Sequence, residues 1–372
     1  MKTIFNFFFI FFSGLLLNYG CHNGKNISND QQNDKSNLPQ NSEIIEFVKP
    51  YNADKFKLGA KITFEIRKLT DTISVDSVVI FVEGKSIAAL KENNLKLEWN
   101  SKNIRLGQIS IQAKAYSSNG ATETISQVIQ ILSDIKPKQY TYKIINIYPH
   151  DRNSYTQGLK YENGDIFESD GEYGKSALRK VKLLTGEVIK FVNMDRSSFA
   201  EGIAFFKNQI YQITWHEQTG YVYNKETFQQ IRKFKYDISE GWGLEFNGKN
   251  FLMTDGSNNV YFMDPEFFKQ VGKIEVMNDK GPVENLNELE IIEGKLYANV
   301  YQKNIVVIID PDNGKVLGEI DFAGLLAKSD YNENTDVLNG IAWNPANGHL
   351  FITGKNWPKL FEVSISEKKV EK

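Results

Sequence analysis

One short stretch recurs five times in the C-terminal part of the chain, and this repeat limits the fold more than any other feature of the sequence. The copies are YTQGLKY (155–161), FAEGIAF (199–205), GWGLEF (241–246), LNELEII (286–292) and LNGIAW (338–343). Their shared position is Gly158, Gly202, Gly243, Glu288 and Gly340, at intervals of 44, 41, 45 and 52 residues. A second strand-like segment follows each copy: DIFESDG (165–171), QIYQITW (209–215), NFLMTDG (250–256), KLYANVY (295–301) and HLFITGK (349–355). A third runs into turns such as LLTGEV, YNKETF, MDPEFF and IDPDNGKV, and a fourth leads to the next copy. Four short strands per ~45 residues is the period of a propeller blade. Five blades of that length fill the segment. The stretch YTYKIINIY (140–148) precedes the first copy, and the chain stops after the third strand of the fifth. It is expected to serve as the outer strand of the last blade and close the ring. An open β-solenoid is the alternative, but long insertions such as AGLLAKSDYNENTDV (323–337) suit loops on one propeller face.

The rest of the 372 residues reads as an export signal, a tether and a smaller domain. The N-terminus MKTIFNFFFIFFSGLLLNYGC has one lysine and an apolar run from Ile4 to Leu17, too short to span a bilayer comfortably and suited to a signal peptide. Cys21 is the only cysteine, so no intrachain disulfide forms. Its place after the apolar run is that of a lipidated cysteine in a bacterial lipoprotein, although Asn18 and Tyr19 depart from the usual pattern. The expected divisions are a lipoprotein-type signal peptide (1–21), a polar disordered tether (22–42), an immunoglobulin-like β-sandwich (43–135) and the propeller (136–372). The sandwich is read from short alternating segments such as KITFEIR and GQISIQAKAYSSNG. No polar cluster stands out in it, and its expected role is a spacer or stalk. Localisation follows as the cell envelope, lipid-anchored to a membrane. Aromatic content of 13% and scarce helical periodicity agree with an all-β chain. Lys+Arg (44) and Asp+Glu (46) nearly cancel, which argues against a nucleic-acid partner. A closed ring has no free sheet edge and makes a monomer the default.

The repeat also picks out a site. In a propeller the first strand of each blade lines the central channel, and a glycine there lets five backbones crowd together. The residues just before the shared position are Gln157, Glu201, Trp242, Asn287 and Asn339, expected as a ring at one channel mouth. The ends of the second strands add Gly171, Trp215, Gly256, Tyr301 and Lys355. A carboxylate in a narrow, partly apolar mouth has its pKa raised, and a nearby lysine pushes it back. Glu201 is thus poised for proton transfer, or paired with Lys355 as a plain ion pair. Metal chemistry has little support: His22, His150, His216 and His349 fall on the tether and on loops without ligand spacing. No nucleophile elbow, P-loop or dinucleotide fingerprint appears.

At these residues the sequence resembles the glutaminyl-peptide cyclotransferases of plant and bacterial type. The resemblance spans about Tyr140 to Ser366 and rests on YTQGL, FAEGIAF, YQITW, EGWGL, DGSNNVYFMDPE, LNELE and LNGIAW together. It implies a five-bladed propeller enzyme that cyclises N-terminal glutamine of peptides or proteins to pyroglutamate, with loss of ammonia and without metal or other cofactor. It implies Glu201 as proton shuttle, with Gln157, Asn287 and Lys355 as the other catalytic groups. Tyr155, Phe199, Trp215, Trp242 and Tyr301 become the substrate-binding wall. Tyr155 stands where phenylalanine is usual, and Tyr301 where tryptophan often is. The competing reading is a non-catalytic propeller that binds peptide or glycan at the channel mouth. A calcium-dependent lactonase-like hydrolase would want more acidic residues in the first ring.

Overall fold

The computed structural model describes residues 43–369; the expected signal peptide, Cys21 and the tether lie outside them. Among the described residues the chain is all β apart from two single-turn 3-10 segments. The N-terminal part is two sheets face to face. One pairs Lys61–Lys68 with Ile45–Lys49 and Lys96–Asn100, and the other is built on Val75–Val82, Gly107–Ser117 and Thr122–Leu132. Period-two alternation makes each strand one-sided. In KITFEIRK the buried residues are Ile62, Phe64 and Ile66, and in GQISIQAKAYS they include Ile109, Ile111, Ala113 and Ala115. These meet in one core.

That core contains a residue from outside the two sheets. Met277, which follows the strand Gln270–Glu275, is fully buried within it. Beside it Arg105 Nη1 donates to Glu275 Oε1 at 2.8 Å, and the backbone N–H of Gln108 donates to Glu275 Oε2 at 3.1 Å. The sandwich is therefore packed against the larger domain.

From Lys138 onward the chain forms five four-stranded antiparallel sheets. Their first strands are Thr156–Glu162, Ala200–Phe206, Leu244–Phe246, Leu286–Ile292 and Leu338–Asn344. Each first strand packs against the first strand of the next sheet, and the fifth packs back on the first, so the sheets form a closed ring of blades. Burial falls outward through a blade: in the second, Ala200–Ala204 are buried whereas Gln230–Lys233 are exposed. The ring closes as the sequence suggests. Lys138–Pro149 pairs antiparallel with Lys359–Glu367, the third strand of the last blade, and supplies that blade's outer strand. It also runs parallel to Val316–Asp321 of the fourth blade over three residues.

The aromatic content is spent between blades. Phe206 meets Phe246 at 4.7 Å, Tyr211 meets Phe251 at 4.6 Å and Phe234 meets Phe268 at 4.3 Å between ring centroids. At the channel the crowding is backbone to backbone. A Cβ on Gly202 would lie 2.3 Å from the Leu244 nitrogen, and one on Gly243 would lie 2.0 Å from the Asn287 oxygen. Nothing larger than glycine fits there. Glu288, which replaces the glycine in the fourth copy, reaches across instead: its carboxylate accepts from the backbone N–H of Leu159 (3.2 Å) and of Ile341 (2.7 Å), in the first and fifth blades.

Candidate active site

Glu201 is a carboxylate within a β-strand, and the strand pairing explains locally how it reaches the channel. Register shifts fall between Thr156 and Gly158, Ala200 and Ile203, Leu286 and Leu289, and Leu338 and Ile341. Each shift brackets the polar residue of the repeat: Gln157, Glu201, Asn287 or Asn339. A bulge re-aims a side chain that regular alternation would send elsewhere. In the third blade the regular strand begins only at Leu244, so Trp242 lies just ahead of it, held by its N–H to the Thr254 carbonyl at 2.9 Å.

Tyr155, Gln157, Phe199, Glu201, Trp215, Trp242, Asn287, Tyr301 and Lys355 together line one cavity of about 230 Å³. Asn339 is close behind it, with its Nδ2 donating to Gln157 Oε1 at 3.3 Å. Gly171 and Gly256 of the second ring leave room for rings: a Cβ on Gly171 would lie 2.6 Å from Phe199, and one on Gly256 would lie 2.6 Å from Trp242.

The aromatic wall runs nearly all the way round. Tyr155 meets Phe199 edge-on at 6.3 Å, Phe199 meets Trp215 at 5.5 Å, and Trp242 meets Tyr301 at 5.4 Å. Charged side chains span the two remaining gaps. Lys355 Nζ sits 4.6 Å from the Tyr155 centroid and 5.1 Å from that of Tyr301, a double cation–π contact. Between Trp215 and Trp242 stands Glu240, whose Oε2 accepts from both indoles, at 2.8 and 3.0 Å.

The polar groups inside divide into committed and free. Gln157 Nε2 donates to Glu201 Oε1 at 3.1 Å, so with Asn339 on its oxygen Gln157 is used at both ends. Asn287 is 2% exposed, and among the described residues its Oδ1 has no hydrogen-bond partner. Lys355 is 3% exposed, and its ammonium meets π faces rather than a protein oxygen. Glu201 and Lys355 do not form the ion pair that the sequence left open, though each feels the other's field. Burial pushes the Glu201 carboxyl well above the usual carboxylate range. Lys355 opposes that rise, and Glu217 and Glu240 add to it. Burial also lowers Lys355 below its ordinary value, with Glu201 and Asp336 working against the fall.

Several residues behind the wall carry no mark in the sequence reading. Asp336 Oδ2 accepts from the Tyr155 hydroxyl at 2.9 Å, and the backbone of its loop is tied to Lys355. Glu217 accepts from the Tyr173 hydroxyl at 3.0 Å, and Tyr173 packs on Phe199 at 5.3 Å. Glu240 did have a signal. It stands two residues before Trp242, the offset at which Tyr155 precedes Gln157 and Phe199 precedes Glu201. The histidines need one correction. His349 opens the strand His349–Gly354 rather than lying in a loop, with Nδ1 2.7 Å from Glu362 Oε1. His150 is enclosed between Glu168 Oε1 (2.9 Å) and the Trp357 carbonyl (2.6 Å).

Comparison with known proteins identifies relatives of the chain. A family model described as glutamine cyclotransferase matches residues 112–365. A glutaminyl-peptide cyclotransferase of Arabidopsis thaliana is 38% identical over 238 residues, which is 63% of this chain and 74% of that one. The crystal structure of Myxococcus xanthus glutaminyl cyclase matches with a TM-score of 0.59 at 36% identity, over 63% of this chain and 100% of the other.

Proposed function

The chain belongs to the glutamine cyclotransferase family, and from that membership we propose that it acts on the N-terminal glutamine of peptides and proteins, closing it to pyroglutamate and releasing ammonia. The observation that carries this reading is the content of the cavity. One buried carboxyl, one unbonded amide and one unbonded ammonium line, with an aromatic wall, a cavity of about 230 Å³.

In this reading the free α-amine attacks the carboxamide carbon of its own side chain. One C–N bond forms, the bond to the carboxamide nitrogen breaks, and no electrons leave or enter. The main difficulty is conformational, because the side chain must fold back on the amine. Phe199, Trp215, Trp242 and Tyr301 hold its methylenes in the folded form and keep water out. Glu201 takes the proton that the amine gives up and returns it to the departing nitrogen. A carboxyl pushed up by burial suits both halves: ionised it is a stronger base than usual, and protonated it is still a competent acid. Lys355 is the better donor to the developing oxyanion, since its ammonium has no protein oxygen to leave. Asn287 Oδ1 is free to accept an N–H of the amine or carboxamide. Gln157, committed at both ends, orients Glu201.

The cavity lining offers a single carboxylate and no imidazole, a donor set unlike that of a catalytic zinc site. We therefore propose that turnover needs no metal. We also propose that export and lipidation at Cys21 hold the enzyme in the cell envelope. The test of the reaction is ammonia release from Gln-initiated peptides, with and without a chelator. Release that resists chelation supports the reading. No release by folded protein moves it to the non-catalytic peptide- or glycan-binding propeller.

A further inference from the structure

Of the two seams in the aromatic wall that no ring closes, one lies between Trp215 at the end of a second-blade strand and Trp242 at the start of the third blade. Glu240 fills it with a single atom. Its Oε2 accepts both indole N–H groups, at 2.8 and 3.0 Å, so two rings on different blades are referred to one point. The far side of the same group faces outward. Its other oxygen lies 3.9 Å from His216 Nδ1, and His216 lies tilted against Trp215, with ring centroids 3.7 Å apart. The carboxylate is 35% exposed, so it is part of the rim rather than of the substrate space.

Without this acceptor each indole would rotate to find another partner or leave its N–H unpaired. The two rings have no direct contact that would hold their mutual angle. Trp242 has Tyr301 against one edge, and Trp215 has Phe199 and His216. In the repeat, the position of Glu240 carries Tyr155 in the first blade and Phe199 in the second, both wall residues. The third blade puts an acceptor where the first two put a ring.

We propose that Glu240 is a positioning residue that fixes the indoles of Trp215 and Trp242 to each other and thereby sets the shape of the pocket for the glutaminyl side chain. This rests on the cyclotransferase reading of the cavity. It assigns Glu240 no contact with the reacting atoms. Its carboxylate also contributes to the field on Glu201, and the test must separate field from reach.

Three substitutions do so. Glu240→Gln keeps an acceptor oxygen at the same reach and removes the charge. Glu240→Asp keeps the charge and shortens the reach by one methylene. Glu240→Ala removes both. With a Gln-initiated peptide, kcat/KM is expected to stay within about threefold of wild type for Gln. It should fall about tenfold for Asp and up to about 100-fold for Ala, mostly through KM, because a misplacement near 1 Å costs on that scale. The near-ultraviolet circular dichroism of tryptophan is expected to change for Asp and Ala and to persist for Gln. Asp as active as Gln, or more active, would overturn the proposal, since reach would then matter no more than charge. Ala within threefold of wild type would overturn it as well. If Ala fails to fold, the order of Gln and Asp still decides. If the wild-type protein turns over no Gln-initiated peptide, the cyclotransferase reading fails instead, and the dichroism series still reads the tie between the two indoles.

Discussion

Two lysines are buried near carboxyl groups of the channel, and they are handled in opposite ways. Lys160, two residues beyond Gly158 on the first inner strand, donates to Glu245 and to Glu290 Oε2 (2.5 Å), with the Leu289 carbonyl at 3.4 Å. Burial opposes its charge, yet Glu245, Glu290 and Glu288 hold the ammonium well above its ordinary range. Lys355, at the site, is as deeply buried but has no carboxylate in contact, and burial wins. The first arrangement is closed: its donors are taken by neighbours on the third and fourth blades, and it fastens the ring. The second leaves an ammonium, a carboxyl and an amide without one another. Burial and residue type are alike in the two places. The difference is whether the groups are paired, and that separates a structural cluster from the proposed reactive one.

The largest expected effect tests the open end. Glu201→Gln should lower kcat by about 10²- to 10⁴-fold, the usual worth of a placed acid–base group, in an ammonia-release assay. Its thermal midpoint should not fall. A carboxyl whose folded pKa is raised stabilises the fold below its unfolded pKa and loses that contribution as pH rises through the folded pKa. The variant should therefore match or exceed wild type in a thermal scan at pH 8. A variant that is both inactive and clearly less stable would blur the distinction between the two ends.

Lys160→Met is the mirror experiment. Leaving Glu245, Glu288 and Glu290 without their cation should cost about 3–5 kcal/mol in urea unfolding, while the folded fraction keeps near-normal turnover. Loss of turnover at unchanged stability would mean that the closed cluster also takes part in the chemistry.

A smaller effect sharpens the open end through pH. Activity should rise with pH through the elevated Glu201 ionisation and fall again as Lys355, lowered by burial, gives up its proton. Asp336 supports the charge of Lys355, so Asp336→Asn should move the alkaline limb of the kcat profile to lower pH and leave the acid limb nearly in place. Smallest of all is Tyr155→Phe, which removes only the hydroxyl bonded to Asp336. It keeps the ring under Lys355, and kcat/KM should stay within about threefold.

Much of the open end was legible because five copies of one motif fix a register, and register fixes which residues share a height in the channel. Gln157, Glu201, Trp242 and Asn287 came from one column of the repeat, and Trp215, Tyr301 and Lys355 from another. What the repeat could not convey was the bulge that turns those side chains inward, since a bulge is a matter of pairing, not of residue type. Asp336 escaped because its long loop has no counterpart in the other blades. Glu240 escaped because it fills a wall position with a different kind of group. The closed cluster lay in the same alignment, two residues further along, but whether Lys160 and Glu290 touch depends on how the blades twist. The docking of the smaller domain was hidden too, because Met277 in a connecting segment looks like any apolar turn residue until the sandwich core is seen around it.

Ring closure by Lys138–Pro149 has a consequence for how the protein is made. That strand leaves the ribosome before any blade, and its main partner, Lys359–Glu367, comes last. At a synthesis rate of about 5–20 residues per second, the wait is roughly ten to forty seconds. Meanwhile Ile144, Ile145 and Ile147, still 39, 38 and 51% exposed in the finished ring, sit on an edge with no neighbour. Only when the fourth blade is complete can Val316–Asp321 offer a short parallel foothold. A nascent chain cut short by its final thirty or so residues would carry four finished blades and one sticky, unmatched edge, and it would be recognisable as incomplete to any chaperone or protease that reads such edges.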